Sequence, residues 1–208
     1  MKDYIYHITT ISNLENIIKH DGLLCKTEID RSEPNYVNIA YEGIQNKRHT
    51  KLVPLTPGGV LHDYVPFYFA PRSPMLYAIH TGCIEHCTVP QKEIIYLVVK
   101  ISEIKTDLAY VFTDGHAIMD FSSFYNELSQ LSHVVDWKIM GSKYWNDDAV
   151  NPDRKRKRQA EFLIHKKVPN KYIAGIAVYD KNAQDKVIEV LTNSEIELNV
   201  LVKRNWYY

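Results

Sequence analysis

The sequence predicts a single α+β domain whose sheet is mainly antiparallel. Predicted strands outnumber predicted helices, and the two kinds of element do not alternate in the regular order of a parallel βαβ fold. The chain of 208 residues is 45% hydrophobic and 24% charged, which is a globular composition. A chain of this length buries roughly 70% of its unfolded surface, enough for one sizeable core. We therefore expect one domain across residues 1–208.

The first predicted element is a strand over Tyr4–Thr9, because its residues alternate between apolar and polar. A helix is predicted next, since Ser12 and Glu15 have the spacing of a capping box. The helix is expected to end near Gly22, a typical residue just beyond a helix C-terminus. Residues 25–62 show no clear periodicity and predict a long loop, which in a compact domain is often functional.

The next elements are a strand, a helix and a second strand. Val65–Ala70 is rich in aromatic residues and predicts a strand. Ser73 and Pro74 have the residue types of an N-cap and a first helical position, so a helix should run from there to Gly82. Glu93–Ile101 is a strong strand pattern because β-branched residues dominate it.

The middle of the chain has weaker patterns. Leu108–Thr113 predicts a strand, and the turn residues Asp114 and Gly115 suggest that Ala117–Met119 pairs with it. Ser122–Leu131 predicts a helix, and residues 132–158 are polar and irregular.

The last elements are two strands, a helix and a closing strand. Phe162–Ile164 predicts a short strand, and Tyr172–Tyr179 a longer one that Gly175 interrupts. Asn182–Leu191 is amphipathic with helical spacing, and Ile196–Val202 predicts the closing strand.

Charge and cysteine content exclude several classes of protein. The 25 basic and 25 acidic residues give a formal net charge of zero, which excludes bulk attraction to nucleic acid but allows local basic patches. No apolar run approaches the length of a membrane span or of a signal peptide. Three cysteines without a signal peptide indicate reduced thiols, so we expect a cytoplasmic protein with no membrane partner.

Several alternative sites can be weighed from the residue types. His80, Cys83, His86 and Cys87 could bind zinc, but their spacing matches no familiar zinc motif, so we predict no metal. No glycine-rich phosphate loop is present, so any nucleotide must be held by another architecture. Cys25 lies in the predicted loop and is a weak candidate for a nucleophile.

The run of five cations at residues 154–158 is the densest charge in the sequence. It suits either a solvated face or contact with a phosphate backbone. Glu161 follows it at the start of an apolar strand, where a carboxylate is costly unless it is paired.

Six segments then form a set that spans nearly the whole chain: YHIT (6–9), DGLL (21–24), GGVLHDYVPFYFAPRSPMLY (58–77), TDGHA (113–117), RQAEFL (158–163) and WYY (206–208). YHIT alone is weak, whereas the long central segment is highly specific. The set resembles the DarT family of DNA ADP-ribosyltransferase toxins, in particular the branch that modifies thymidine in single-stranded DNA.

The resemblance implies the ADP-ribosyltransferase fold, with two packed, mainly antiparallel sheets, flanking helices and a cleft for the co-substrate NAD. It implies a loop at about 35–53 that covers NAD and a loop at about 116–161 that recognises the acceptor. The NAD contacts that it implies are His7, Ile8, Thr9, Asn16, Leu24, Arg48, Tyr68 and Tyr77, with the two tyrosines on either side of nicotinamide.

The resemblance also makes Glu161 the catalytic glutamate and assigns deprotonation of thymine to Arg48. Cleavage of the nicotinamide–ribose bond develops oxocarbenium character, which a carboxylate near the ribose stabilises. Because an arginine is a poor neutral base, we interpret Arg48 as polarising thymine and pairing with the phosphates of NAD.

Single-stranded DNA should be held by cations and by stacking rings, with Met75 and His116 at the thymine pocket. The other predicted DNA contacts are Tyr144, Trp145, Arg154 and Arg156. The predicted function is a toxin that transfers ADP-ribose to thymidine and blocks replication, countered by a macrodomain antitoxin (DarG). The alternatives are a transferase of the same fold acting on guanine or RNA, an NAD glycohydrolase, and a non-catalytic module that binds nucleic acid.

Overall fold

The computed structural model describes residues 3–104 and 107–208. Its elements in chain order are β1 (Tyr4–Thr10), α1 (Leu14–Lys19), β2 (Gly22–Leu24), α2 (Lys26–Ser32), α3 (Glu42–Thr50), β3 (Tyr64–Tyr68), α4 (Pro74–His80), β4 (Ile94–Lys100), α5 (Ile101–Ile104), β5 (Tyr110–Thr113), β6 (Phe124–Tyr125), α6 (Leu131–Val134), α7 (Trp137–Met140), α8 (Arg154–Arg158), β7 (Glu161–His165), β8 (Lys167–Pro169), β9 (Ile173–Val178), α9 (Lys181–Asn193) and β10 (Val200–Val202).

Eight of these strands form one sheet in the order β10-β9-β4-β1-β3-β7-β5-β6, and β2 pairs with β8 in a small second sheet. The pairs are antiparallel except β9 with β10. The α+β expectation is confirmed. The large sheet is nevertheless not evenly paired. Its two halves of four strands are joined to each other by much less pairing than β1 and β4 have between them.

The sheet opens between β1 and β3. β1 pairs with β4 along its whole length, from Tyr4 opposite Lys100 to Thr10 opposite Ile94. It pairs with β3 at a single position, Tyr6 opposite Tyr68. The two predicted sheets are therefore two four-stranded halves of one sheet, and the split between them leaves room for a cleft.

The core lies on both faces of this sheet. One apolar cluster includes Phe67, Phe112 and Phe162, and the amphipathic helix α9 covers it with Val187 and Leu191. Asp180 caps α9, since its side chain accepts a hydrogen bond from the backbone of Ala183 at 2.9 Å. On the opposite face, α4 packs its apolar residues on β4 in a second cluster.

The predicted start and end of the first helix are corrected by the structure. Ser12 does not cap α1. Its hydroxyl hydrogen bonds to that of Thr10, and α1 begins at Leu14 after a short 3-10 turn. The residue beyond the helix with a left-handed backbone is Asp21 (φ 49°), not Gly22. Gly22 is required one residue later, where a Cβ would collide with the carbonyl of Val168 in the β2–β8 pair.

Four further element predictions are wrong, among them the helix over Ser122–Leu131, where the structure has β6 and a 3-10 turn over Leu128–Gln130. Residues 25–62 are not one long loop, because they contain α2 and α3. Ala117–Met119 is not a strand, and the partner of β5 is β6 at the start of the helix predicted over Ser122–Leu131. The irregular stretch 132–158 contains α7 and α8 and part of α6.

The remaining predictions are confirmed within a few residues. Ser73 caps α4 by accepting from the backbone of Leu76 at 3.2 Å, with Pro74 at the first helical position. The closing strand is shorter than expected and covers Val200–Val202. None of the helices in the described ranges has the length and apolar character needed to span a membrane.

Candidate functional site

A cleft of about 480 Å³ lies where the sheet opens, bordered by α1, α3, α4 and the start of β7. Its walls combine apolar surface with a few polar side chains, as small-molecule sites do. Eleven of the predicted site residues line it: His7, Ile8, Asn16, Leu24, Arg48, Tyr68, Met75, Tyr77, His116, Trp145 and Glu161. Residues far apart in the sequence therefore meet at one place.

Glu161 is the most tightly held polar side chain of the cleft. As the first residue of β7 it pairs with Tyr68, the last residue of β3, at the point where the sheet splits. Its backbone nitrogen donates to Thr113 Oγ1 at 3.1 Å, and its Oε1 accepts from the backbone nitrogen of Ala117 at 3.0 Å. Its other oxygen, Oε2, accepts from Arg48 Nη1 at 2.7 Å. With 4% of its surface exposed, this carboxylate is preorganised.

Arg48 reaches Glu161 from α3, near the end of that helix. The arginine is itself buried, with 6% of its surface exposed. Its Nη2 is also buried and has no hydrogen-bond partner among the described residues. An unpaired buried guanidinium nitrogen is costly, and beside a cleft it offers a donor to an anionic or carbonyl group of a ligand.

Glu161 is an anion at neutral pH. Burial by itself would raise the pKa of the carboxyl group, but Arg48, His116 and the hydrogen bond from Ala117 outweigh it and hold the pKa below its usual range. His116 Nδ1 lies 3.7 Å from Glu161 Oε1. Burial lowers the pKa of His116, against the opposing effect of Glu161. The site therefore presents a fixed negative charge beside a neutral imidazole.

His7 is oriented by the strand next to its own. Its Nδ1 donates to the carbonyl of Pro66 in β3 at 2.8 Å, which leaves Nε2 as the other polar atom of the ring. Burial lowers the pKa of His7, so the ring is neutral at pH 7. Thr9, by contrast, lies behind the wall of the cleft, where it accepts a hydrogen bond from Asn13 at 3.0 Å. Ile8 lines the cleft and Thr9 supports it.

The two tyrosines differ in their surroundings. Tyr68 donates to the sulfur of Met75 at 3.7 Å, and burial raises its pKa, so its hydroxyl stays protonated. Tyr77 is 43% exposed and packs edge to face with Trp145, with 5.6 Å between ring centroids. Both line the cleft, and their place on either side of nicotinamide stays a prediction.

The cation run does not form a solvated stretch. Arg158 is 3% exposed and donates to the carbonyls of Pro71 and Arg72 at 2.7 and 3.3 Å. Arg156 forms a two-pronged ion pair with Asp153 at 2.6 and 2.7 Å and another with Asp114 at 3.0 Å. These two arginines stabilise the fold around the site.

Two of the other predicted DNA contacts lie outside the cleft. Arg154 pairs with Asp148 at 3.0 Å near the surface, and Tyr144 is 72% exposed. The geometry thus keeps Arg154 and Tyr144 available to a strand leaving the cleft. It ties Arg156 to Asp153 and Asp114 instead. Of the two arginines predicted to contact phosphate, Arg154 therefore has the fewer carboxylate partners, and both contacts stay predictions.

Two of the groups that hold Glu161 in place were not predicted from the sequence. The backbone of Ala117 and the hydroxyl of Thr113 both belong to the TDGHA segment, whose Thr113 Oγ1 also donates to the carbonyl of Gly115 at 2.6 Å. Position 115 requires glycine for a steric reason, since a Cβ there would collide with the Arg156 side chain. In the sequence, Asp114 and Gly115 indicate a tight turn. They do not indicate that this turn contacts β7.

The four residues weighed as zinc ligands do not come together. His80 Nδ1 hydrogen bonds to Gln91 at 2.8 Å, and Cys83 is exposed. Among residues 3–104 and 107–208, no group of three or more His, Cys, Asp or Glu side chains is placed to hold a metal ion. Cys25 is buried, and burial raises the pKa of its thiol, which does not suit a nucleophile.

Comparison with known proteins matches almost the whole chain. A family described as "ssDNA thymidine ADP-ribosyltransferase, DarT" matches residues 6–208. A DNA ADP-ribosyl transferase of Thermus sp. (strain 2.9) is 41% identical over 207 residues, covering 98% of this chain and 95% of the relative. A Thermosipho africanus fusion of DNA ADP-ribosyl transferase and DNA ADP-ribosyl glycohydrolase is 28% identical over 92% of this chain and 46% of its own length.

Comparison with solved structures also matches the chain to DarT proteins. Thermus sp. 2.9 DarT in complex with ADP-ribosylated single-stranded DNA superposes with a TM-score of 0.92 at 40% identity, covering all of this chain and 97% of that one. The same protein in complex with NAD+ gives a TM-score of 0.88 at 38% identity, covering all of this chain and 98% of that one.

Proposed function

The chain belongs to the DarT family of single-stranded DNA thymidine ADP-ribosyltransferases, and from this premise we propose how its cleft carries out NAD-dependent transfer of ADP-ribose to thymidine. The fold is the ADP-ribosyltransferase fold. The observation that carries the proposal is the buried Glu161 carboxylate, which Arg48, Ala117 and His116 hold in the wall of the cleft.

Glu161 stabilises the positive charge that develops on the ribose. When the bond between ribose C1 and the nicotinamide nitrogen breaks, nicotinamide leaves with the electron pair and the sugar gains oxocarbenium character. A carboxylate that is already charged and fixed needs no reorganisation at that moment, so it acts where electrostatic catalysis is strongest. Its low pKa keeps it charged.

Arg48 and His116 have different roles toward the thymine acceptor. Thymine N3 forms the new bond to ribose C1 and must lose its proton. Arg48 is paired with Glu161 and has one free donor, Nη2, which suits a thymine carbonyl or an NAD phosphate. His116 is neutral and carries a lone pair, so of these two groups it is the better proton acceptor.

The NAD and DNA ends of the cleft follow from the residues that line it. His7, Ile8, Asn16 and Leu24 come from β1, α1 and β2 and hold NAD, with Thr9 supporting them. Met75 and Trp145 also line the cleft, and we assign single-stranded DNA to these two residues together with Tyr144 and Arg154 outside the cleft. This placement supports the acceptor loop expected at 116–161 and the covering segment at 35–53, which contains α3.

The biological role follows from the chemistry. ADP-ribose on a thymine interferes with base pairing, so the enzyme acts as a toxin that blocks replication. We propose a macrodomain antitoxin (DarG) as its partner, because the Thermosipho africanus relative joins a DNA ADP-ribosyl glycohydrolase to its transferase. A cytoplasmic location is supported by three free cysteines, which suit a reducing compartment.

Mass spectrometry of an oligonucleotide tests the function. A thymidine-containing single-stranded DNA incubated with protein and NAD should gain one ADP-ribose, and digestion to nucleosides should place it on thymidine. Matched oligonucleotides without thymidine, and an RNA of the same sequence, should stay unmodified. Addition to guanine or RNA, or NAD consumption that does not depend on DNA, would instead identify the other enzymes of this fold.

A further inference from the structure

Tyr208 contacts two aromatic rings that line the cleft, Tyr77 and Trp145, without lining the cleft itself. Trp145 Nε1 donates to the Tyr208 hydroxyl at 3.1 Å, and Tyr77 packs against the Tyr208 ring with 5.0 Å between centroids. Tyr77 and Trp145 in turn contact each other. The three rings therefore form one cluster, in which two rings face the ligand and the third supports them.

The Tyr208 hydroxyl also binds the corner that precedes α4. It donates to the carbonyl of Arg72 at 2.7 Å, and burial raises the pKa of Tyr208, so the donated proton stays in place. Arg72 has a left-handed backbone (φ 57°) and precedes Ser73, the cap of α4. A single hydroxyl thus joins Trp145 to the start of the helix that carries Met75 and Tyr77.

Trp145 depends on this contact for its position. It is half-buried, while its neighbours from Asn146 to Val150 are exposed. A segment with so little buried surface is loosely held unless a specific contact fixes it. The hydrogen bond from Trp145 and the edge-to-face packing on Tyr77 are specific contacts of this kind.

The backbone of Tyr208 is fixed separately from its hydroxyl. Gln91 donates to the carbonyl of Tyr208 at 2.7 Å and accepts from its nitrogen at 3.0 Å. The ring lies between the His80 ring, stacked at 6.0 Å, and the Arg72 guanidinium, 4.7 Å from its centroid. Removing the hydroxyl alone should leave the phenyl ring where it is.

We propose that Tyr208 is a positioning residue for the DNA acceptor, which acts by holding Trp145 against the start of α4 through its hydroxyl. The inference rests on the proposed function, in which Trp145 contacts single-stranded DNA. It assigns no contact between Tyr208 and either substrate.

Tyr208→Phe tests the proposal, with Tyr207→Phe as the matched control. The neighbouring Tyr207 hydroxyl is also buried, but it donates to the carbonyls of Ile94 and Ala177, away from Trp145. Tyr208→Phe removes the hydrogen bonds to both Trp145 and Arg72, and the loss of the bond that holds Trp145 should raise the KM for a thymidine oligonucleotide about two- to tenfold. The KM for NAD should stay within about twofold, and Tyr207→Phe should change neither value even if its thermal stability falls.

A double substitution separates positioning from general weakening. If Tyr208 acts through Trp145, the variant Trp145→Phe/Tyr208→Phe should bind the oligonucleotide no more weakly than Trp145→Phe alone. Additive losses, an unchanged oligonucleotide KM in Tyr208→Phe, or an equal rise in the KM for NAD would overturn the proposal.

Indole NMR tests the contact without any catalysis. In protein labelled with ¹⁵N-tryptophan, Tyr208→Phe should shift the Nε1–H resonance of Trp145, which Trp145→Phe identifies by its disappearance. The resonances of Trp137 and Trp206 should stay in place. A Trp145 resonance unaffected by Tyr208→Phe would overturn the proposal, whichever base the wild-type enzyme modifies. A wild type that modifies no thymidine would disprove the proposed function and with it the acceptor role of Tyr208, whereas the NMR result would still show whether Tyr208 holds Trp145.

Discussion

At the scale of single residues, the site depends on one carboxylate with three supports. Glu161 is held by a side chain from α3, a backbone nitrogen from the turn after β5 and a nearby imidazole, so its charge is set by residues from separate elements. The same contacts that lower its pKa also fix its geometry. Electrostatic stabilisation and preorganisation are therefore properties of one small network.

Glu161→Gln should remove the charge while keeping the shape. We expect transfer of ADP-ribose to fall by about 10²–10³, the usual cost of losing one preorganised electrostatic group. Arg48 would then be a buried cation without its partner, so some thermal stability should be lost as well. Rates measured by mass spectrometry, together with melting curves and NAD titrations, separate the two effects. Exposed Glu15→Gln is the control, and a Glu161→Gln variant with full activity would contradict the assignment.

His116→Gln tests the proton acceptor. The substitution keeps a polar side chain but removes the basic imidazole, so we expect kcat to fall by about 10²–10⁴ with NAD affinity unchanged. The exposed His133→Gln on α6 should behave like the wild type. Single-turnover rates with saturating oligonucleotide measure the chemical step, and an unchanged rate for His116→Gln would show that the thymine proton leaves by another route.

At the scale of elements, residues 113–122 and α8 act together. The backbone of His116 donates to the carbonyl of Arg156 at 3.0 Å, and Arg156 also donates to Ser122 Oγ at 3.1 Å. The Arg156 guanidinium lies 5.2 Å from the centre of the Phe121 ring. These contacts tie the turn that holds Glu161 to the basic helix, so α8 supports the active site as well as the acceptor side.

The two arginines at the start of α8 should therefore respond differently to substitution. Arg154 has one ion pair near the surface, which contributes little to stability. If Arg154 contacts one phosphate, Arg154→Gln should make the slope of log K for oligonucleotide binding against log salt concentration shallower by about 0.7. Arg156→Gln should lower the melting temperature and leave the slope nearly unchanged. Binding measured across a salt series checks both, and base preference should survive in Arg154→Gln because phosphate contacts do not read sequence.

A clear slope change in both Arg154→Gln and Arg156→Gln would restore the assignment from sequence, in which both arginines contact phosphate. That assignment did not distinguish Arg154 from Arg156, because a run of like charges shows no partner in the sequence itself. The carboxylates that bind Arg156, Asp114 and Asp153, could not be matched to it without the fold.

Predictions of elements succeeded where the local pattern was strong. β4 and α9 were predicted within a few residues because the β-branched run of β4 and the amphipathic spacing of α9 are evident in the sequence. α3 was missed because it is polar, with Arg48 as its buried residue, and a helix with no apolar face has no periodic signal. That buried residue lines the cleft, so an element that the sequence patterns did not predict carries one of the proposed catalytic groups.

At the scale of the whole molecule, many residues that line the cleft could be predicted from sequence, but not their arrangement. The resemblance in six segments selected eleven residues that line the cleft. The single pairing of Tyr6 with Tyr68 that opens the sheet is a long-range register, which no local pattern specifies. Thr9, Tyr144 and the arginines of α8 show the limit, since a family motif does not say which members face the ligand.

The buried histidines give the whole protein a common response to acid. Burial lowers the pKa of His7, His62, His116 and His165 below the usual value, and for His62 the pKa falls from 6.5 to about 4. A lowered pKa means that the unfolded chain takes up protons more readily than the folded one once the pH drops below about 6.5. With respect to these histidines, the free energy of unfolding is therefore highest above pH 6.5 and falls as the pH decreases toward 4.

Urea unfolding at pH 7.5 and pH 5.0 measures this effect. His62 alone should account for up to about 2 kcal/mol of the loss between these pH values, since the ordinary pKa of 6.5 lies within this window and the folded-state pKa of about 4 lies below it. His62→Gln can keep the hydrogen bond to Gln45 but does not titrate, so its unfolding free energy should fall less between the two pH values. Exposed His133→Gln should show the full wild-type decrease. Equal decreases in all three proteins would show that other groups set the acid sensitivity, because only the removal of a shifted histidine changes the proton balance between the folded and unfolded states.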